Sequence, residues 1–296
     1  MSRSAWIGAG LRLAAALPLS WSHTLGALLG WLWWWMPNPL RRIAERNLAL
    51  CFPDQSLVER NRLLRRNLME TGKGLLELGP FWLWPGQRLL RLIQGSVIGE
   101  EELVAAVNRQ QGVILITPHL GPWELAGLYY SSRYPLTILY RPSRMGLDEI
   151  ARQGRGRLGG QVVATDAGGL RALLAALRRG EALGILPDQD IGGIGDGEGL
   201  FAPFFGIAAG TMTLVSRLAL KHRTPVFLTW AERLPRSQGY VLRLRALPEV
   251  TGAESLEASV AAMNQGIEAA VRSLPTQYLW TYKRFKTRPP GEPKLY

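Results

Sequence analysis

The sequence predicts an α/β protein, with a mostly parallel central sheet flanked by helices and an N-terminal hydrophobic segment ahead of it. Two observations carry the class. From Ile98 onward, short β-rich runs alternate with helical patterns, and this order places strands side by side with helices packed over them. The composition, 47% hydrophobic and 20% charged over 296 residues, supplies a sizeable core and excludes a disordered chain. No internal repeat, low-complexity tract or linker divides residues 37–296, which therefore read as one domain.

The elements follow in chain order. Leu13 to Met36 contains no Asp, Glu, Lys or Arg and carries Trp21, Trp31, Trp33, Trp34 and Trp35. As one helix these residues would extend ~36 Å, against a hydrocarbon core of ~30 Å, and Trp favours the membrane interface. Residues 1–36 are accordingly expected to form a membrane-anchor helix. The Arg-rich stretch after it (Arg41, Arg42, Arg46, Arg60, Arg62, Arg65, Arg66) then places the main domain in the cytoplasm. A cleaved signal peptide fits poorly, because WLWWWMPNPL offers no small-residue cleavage site. Pro18 and His23 keep open a buried helix, or a hairpin lying in one leaflet.

Pro37 to Pro53 reads as a basic amphipathic segment, Ser56 to Leu78 as a helix, and Gly79 to Gly86 (GPFWLWPG) as a hydrophobic loop. Strands are expected at Val113–Thr117, Leu136–Tyr140, Val162–Thr165, Leu183–Pro187, Val226–Trp230 and Tyr240–Ala246. Helices are expected near Trp123–Ser131, Leu147–Arg157, Leu170–Arg179, Thr211–His222 and Glu254–Ser273.

The net charge of +12 attracts polyanions: anionic lipid, phosphorylated substrates, an acidic protein or nucleic acid. A single cysteine, Cys51, excludes a disulfide framework, and one Cys with three His argues against a structural zinc site; no metal is expected.

Ligands of parallel sheets bind beyond the carboxyl ends of the strands, and three of four candidate groups fall there. His119 follows the first strand, and Glu124 lies five residues on, in the first turn of the next helix. On one continuous helix the two would diverge; from a strand end and a helix start they can converge. A carboxylate on one imidazole nitrogen leaves the other as a general base, so His119 and Glu124 are the candidate catalytic pair, with a loop histidine and a capping glutamate as the plainer alternative. Asp188 and Asp190 follow the strand ending at Pro187 and could bind a metal, orient a basic group or serve as turn residues. The glycine-rich Ile191–Gly199 that follows lacks the Lys-Ser/Thr of a P-loop and reads as a loop beside the site. Arg141 and Arg144 follow another strand, and Arg is suited to phosphate. Lys283, Arg284, Lys286 and Arg288, interleaved with Tyr278, Trp280, Tyr282 and Phe285, suit an anionic membrane surface; nucleic acid is the less favoured reading.

Taken together, these segments resemble the late acyltransferases of lipid A biosynthesis, the lauroyl/myristoyl transferases of Gram-negative bacteria. The resemblance rests on the N-terminal hydrophobic segment, the H-x4-E of His119 and Glu124, Tyr140-Arg141-Pro142, LPDQD (Leu186–Asp190), PFFG (Pro203–Gly206) with the Ala-Gly-Thr after it, and the YLWTYKRFKTRPPGE tail, over nearly the whole chain. It implies a glycerolipid-acyltransferase-like fold, with residues 37–296 as an acyltransferase domain at the inner membrane, facing the cytoplasm. It further implies a donor acyl chain on acyl carrier protein and, as acceptor, the 3-hydroxyl of an acyl chain on a phosphorylated diglucosamine lipid A precursor, with no cofactor. On this resemblance His119 deprotonates the hydroxyl, Glu124 orients His119, Arg141 and Arg144 contact phosphate, and Asp188 and Asp190 shape the site. The alternatives are a phospholipid or glycolipid acyltransferase using the same base, and a non-catalytic basic membrane-binding protein.

Overall fold

The computed structural model describes residues 3–95, 97–142, 148–192, 194 and 197–296. Its elements, in order, are α1 (Arg3–Ala16), α2 (Leu19–Trp35), α3 (Pro39–Cys51), α4 (Leu57–Leu83), α5 (Gly86–Leu90), α6 (Glu101–Asn108), β1 (Val113–Ile116), α7 (Trp123–Ser131), β2 (Leu136–Tyr140), α8 (Asp148–Gly156), β3 (Gln161–Ala164), α9 (Ala167–Arg178) and β4 (Ala182–Ile185). There follow β5 (Gly199–Phe204), β6 (Ile207–Met212), α10 (Leu214–His222), β7 (Val226–Arg233), β8 (Tyr240–Ala246), α11 (Pro248–Thr251) and α12 (Leu256–Ser273).

Six strands form one sheet in the order β3-β2-β4-β1-β7-β8, parallel except for the β7–β8 pair. Alternation along β1 and β4 divides the apolar residues between the two faces. Ile114, Ile116, Leu183 and Ile185 join a core closed by Leu48 of α3, Leu68 of α4, Leu173 of α9, Leu218 of α10 and Met263 of α12. Val113, Leu115 and Ala182 face the opposite way, onto Leu103 of α6 and Ala126 and Tyr130 of α7. Both faces of the parallel sheet are thus covered, which explains the continuous hydrophobic runs of its strands. The alternating pattern expected from the sequence holds, with one addition: β5 and β6 form a separate antiparallel hairpin.

The N-terminal segment differs from expectation. Leu13–Met36 is not one helix: the chain breaks at Leu17-Pro18, where proline lacks an N–H and disfavours helical backbone in its predecessor. Among the described residues no helix is long and apolar enough to cross a membrane. Instead α2 packs along α4. Gly26, Gly30 and Gly72 allow this approach; a Cβ on Gly72 would lie 2.0 Å from the Gly26 carbonyl oxygen, and one on Gly30 2.1 Å from that of Leu68. On the far side of α2, Trp21, Leu25, Leu28, Leu32 and Trp35, spaced four, three, four and three residues apart, form an exposed apolar stripe.

His23 lies on the packed face of α2, where its Nε2 is 2.7 Å from Glu77 and its Nδ1 2.9 Å from Ser237. Glu77 also accepts from Arg233 and from the Tyr240 hydroxyl at 2.8 Å. This buried charge cluster ties the N-terminal helices to the sheet. Burial works against the ionised Glu77, yet Arg233 and His23 hold its pKa down at about 2.

Two further expectations are corrected. The GPFWLWPG segment is not a loop: α4 continues through Pro80, and Phe81, Trp82 and Trp84 are core residues. The basic-aromatic tail is not a surface patch either. Trp280 and Phe285 are buried, and Arg284, 3% exposed, donates to the Gly210 carbonyl at 2.6 Å and the Thr211 hydroxyl at 2.8 Å. Arg288 donates to the Ala208 carbonyl, so Lys283 and Lys286 are the exposed cations of this run.

Candidate active site

Strand register brings the central pair together. In the parallel β1–β4 ladder Ile116 is opposite Ile185, and three residues beyond each lie His119 and Asp188. The backbone at His119 is pinned from two sides. Its carbonyl accepts from Leu279 N at 3.0 Å, and Gly121 N donates to the Gln277 carbonyl at 2.9 Å. Gly121 has φ +61°, and a Cβ there would lie 1.8 Å from the Ala231 oxygen, so only glycine fits this turn.

Asp188, 2% exposed, receives His119 twice: backbone N–H to Oδ2 at 2.8 Å, and ring Nδ1 to Oδ1 at 2.8 Å. A carboxylate only accepts, so Nδ1 carries the proton and Nε2 presents its lone pair. Burial opposes the charge on Asp188, but the charge and hydrogen bonds of His119 outweigh it and hold its carboxyl below the usual range. The Tyr278 hydroxyl is pushed well above its ordinary pKa, first by burial and then by the Asp188 charge beside it. Nε2 faces the Gln189 amide nitrogen at 3.1 Å, and the Trp123 ring lies 5.0 Å from the imidazole, centre to centre.

Glu124 stands where the sequence placed it, in the first turn of α7, but it is not the hydrogen-bond partner of His119. Its carboxylate accepts from Arg155 of α8 (Nε at 3.1 and 3.0 Å, Nη2 at 2.5 Å) and from Trp82 Nε1 at 3.3 Å. Burial opposes its ionisation; the Arg155 charge and hydrogen bonds overcome this, with a smaller contribution from the His119 charge, and its pKa is lowered. Asp188 thus meets His119 by direct contact, and Glu124 does not.

Beside the pair, Glu124, Arg155, Thr117 and Trp123 rim a small cavity of about 30 Å3 that continues between α7 and the sheet along Leu128, Ile138 and Gly184. It admits one water-sized group and is otherwise an apolar seam. A Cβ on Gly127 would meet nothing within 4 Å, so this seam has slack along α7.

The other expected site residues separate. Asp190 does not face His119: its carboxylate accepts from Gly192 N at 2.8 Å and from Thr287 N and Oγ1 at 2.6 and 2.9 Å, which ties the C-terminal segment to the loop after β4. Arg141 is exposed just past β2, near enough to Tyr282 for its charge to act on that hydroxyl. Arg144 lies outside the described residues. Sequence reasoning missed Arg155 and Trp82, which are remote from Glu124 in the chain, and it gave Asp188 a lesser role; the signal for Asp188 was its place after a strand adjacent to β1.

An imidazole whose Nδ1 is held by a buried carboxylate and whose Nε2 keeps its lone pair has the arrangement that general-base chemistry requires. Sequence comparison gives the family. The profile of the bacterial lipid A biosynthesis acyltransferases matches residues 1–287, and the chain belongs to this family. It is similar to the lipid A biosynthesis palmitoleoyltransferase of Escherichia coli (strain K12), 34% identical over 94% of this chain and 95% of that one. The lauroyltransferase of the same organism is 32% identical over 98% of this chain and 94% of its own, and the myristoyltransferase 25% over 99% and 90%.

Proposed function

We propose that this protein transfers a fatty acyl chain from acyl carrier protein to the 3-hydroxyl of an acyl chain on a lipid A precursor. The observation that carries the reading is the Asp188–His119 pair at the carboxyl edge of β1 and β4, whose Nε2 keeps its lone pair and meets the Gln189 amide. His119 Nε2 takes the proton of the acceptor hydroxyl while Asp188 steadies the resulting imidazolium. The alkoxide oxygen attacks the thioester carbonyl carbon, and the tetrahedral intermediate collapses with loss of the thiolate, which takes the proton back from His119. The products are an ester and a free thiol. The acyl chain takes the seam lined by Leu128 and Ile138, which must widen beyond its ~30 Å3 to hold it. Arg141, exposed on the same edge, meets an acceptor phosphate in this reading.

The proposed place of work is the inner membrane, with the site facing the cytoplasm. The stripe Trp21, Leu25, Leu28, Leu32 and Trp35 supports an in-plane association, one helix face in the bilayer and the other on α4. Replacing Trp21, Leu28 and Trp35 by Gln should move the protein from the membrane pellet to the supernatant; full retention in the pellet would remove this part of the reading. The acceptor is tested by mass spectrometry of lipid A from cells with and without the protein. One additional ester-linked acyl group on a hydroxyacyl chain is expected. An unchanged lipid A beside altered phospholipid or glycolipid would transfer the activity to another acceptor.

A further inference from the structure

Gln189 sits between two anchored aspartates. Asp188 is fixed by the two bonds from His119, and Asp190 by Gly192 and Thr287. The backbone on either side of Gln189 is therefore held, and its half-buried side chain reaches the one nitrogen of His119 that Asp188 leaves unprotonated, Nε2, at 3.1 Å. With Nδ1–H committed to Asp188, Nε2 can only accept, so the Gln189 amide donates to it. An in-plane lone pair takes one good donor. The amide N–H thus occupies the position that the acceptor O–H must take before its proton can be removed.

We propose that Gln189 is a positioning residue that caps the basic nitrogen of His119 in the free enzyme, and that the acceptor lipid must displace it. This rests on the reading of His119 as the general base. The consequence is selectivity between acceptors. A lipid brings binding energy from the rest of its structure to offset the loss of the amide contact; water brings none. Capping therefore suppresses attack by water on the bound thioester more than attack by the lipid hydroxyl. An ordinary hydrogen bond of this kind corresponds to about a 2- to 10-fold change in the fraction of uncapped base.

The experiment uses the full-length protein in detergent with a lauroyl thioester of acyl carrier protein, assayed for free thiol and free laurate with and without a tetraacylated diglucosamine bisphosphate. Gln189→Ala should raise the ratio of hydrolysis to transfer by about 2- to 10-fold. Gln189→Asn keeps the amide one methylene too short to reach Nε2 and should give the same rise, so a poorly folded alanine variant does not decide the matter. The acidic limb of the hydrolysis pH profile should also move up by roughly 0.3–1 pH unit, because the cap favours the neutral imidazole; Asp188 and Glu124, the charged groups acting on the ring, are the same in all variants. An unchanged ratio with an unmoved limb in both variants overturns the cap. His119→Ala separates the two levels: if it is inactive while the Gln189 variants partition like wild type, the cap alone fails, and if it retains full turnover, the base and the cap fail together.

Discussion

Asp188→Asn removes one charge and one acceptor from a carboxylate that uses both oxygens on the same residue. The amide has a single oxygen. If that oxygen keeps the His119 backbone N–H, the amide nitrogen turns toward Nδ1, donates to it and drives the proton to Nε2, the tautomer that cannot accept from substrate. If the oxygen keeps Nδ1–H instead, the amide N–H confronts the backbone N–H in a site where Asp188 is 2% exposed, and both donors lose their partner. The first arrangement holds the wrong tautomer and the second strains the loop. Loss of the orienting carboxylate in a comparable base costs about 10^4-fold, and kcat/KM should fall here by about 10^3- to 10^4-fold, or ~4–5.5 kcal/mol of transition-state stabilisation. The carboxyl of Asp188 is held below its ordinary pKa, so its charge is present throughout the neutral range of the assay. The assay is steady-state transfer, with the circular dichroism melt of each variant confirming folding. A folded Asp188→Asn protein within tenfold of wild type would refute the reasoning.

Three further outcomes follow from the same geometry. Glu124→Gln and Arg155→Gln should each lower transfer, and the double variant should be less impaired than their sum; a coupling of ~0.5–3 kcal/mol in a double-mutant cycle checks the contact, and strict additivity would deny it. Gly127→Leu, entering open space beside the apolar seam, should shift the transferred chains to shorter lengths in the product mass spectrum, and an unchanged distribution would place the chain elsewhere. Glu77→Gln takes from the buried Arg233 one of its two carboxylate partners, Glu70 remaining, and should cost ~1.5–3 kcal/mol, roughly a 5 °C fall in Tm at pH 7. Because the folded pKa of Glu77 is depressed from 4.5 to about 2, its contribution is complete above pH 4.5 and is lost as pH falls toward 2; the variant should lack that acid component in a pH series of melts.

The parallel sheet was legible because its strands are continuous apolar runs separated by helical periods. The β5–β6 hairpin was not: its Gly199, Pro203, Ala208, Ala209 and Gly210 are poor strand formers, and tertiary contacts with α12 decide the conformation. Pro80 marked a helix end on local grounds, but burial of Phe81 and Trp82 carries α4 past it. The charge-free Leu13–Met36 looked like a span because hydropathy averages over faces. The packed face holds Ser22, His23, Gly26 and Gly30, the exposed face Trp21 to Trp35, and only the structure separates them. At the site, His119 was legible from its place after β1. The choice of Asp188 over Glu124 as its partner was not, because it depends on the order of β1 and β4 in the sheet and on Arg155 drawing Glu124 to itself.

The central claim is that His119 removes the acceptor proton. The most direct measurement is the mass spectrum of a tetraacylated lipid A precursor incubated with acyl-loaded carrier protein and either wild-type protein or a His119→Ala variant with the same melting temperature. Wild type should yield an acceptor heavier by one acyl group on a 3-hydroxyl, and the variant should yield it at least ~10^2-fold more slowly. Acylation by His119→Ala at the wild-type rate would contradict the account.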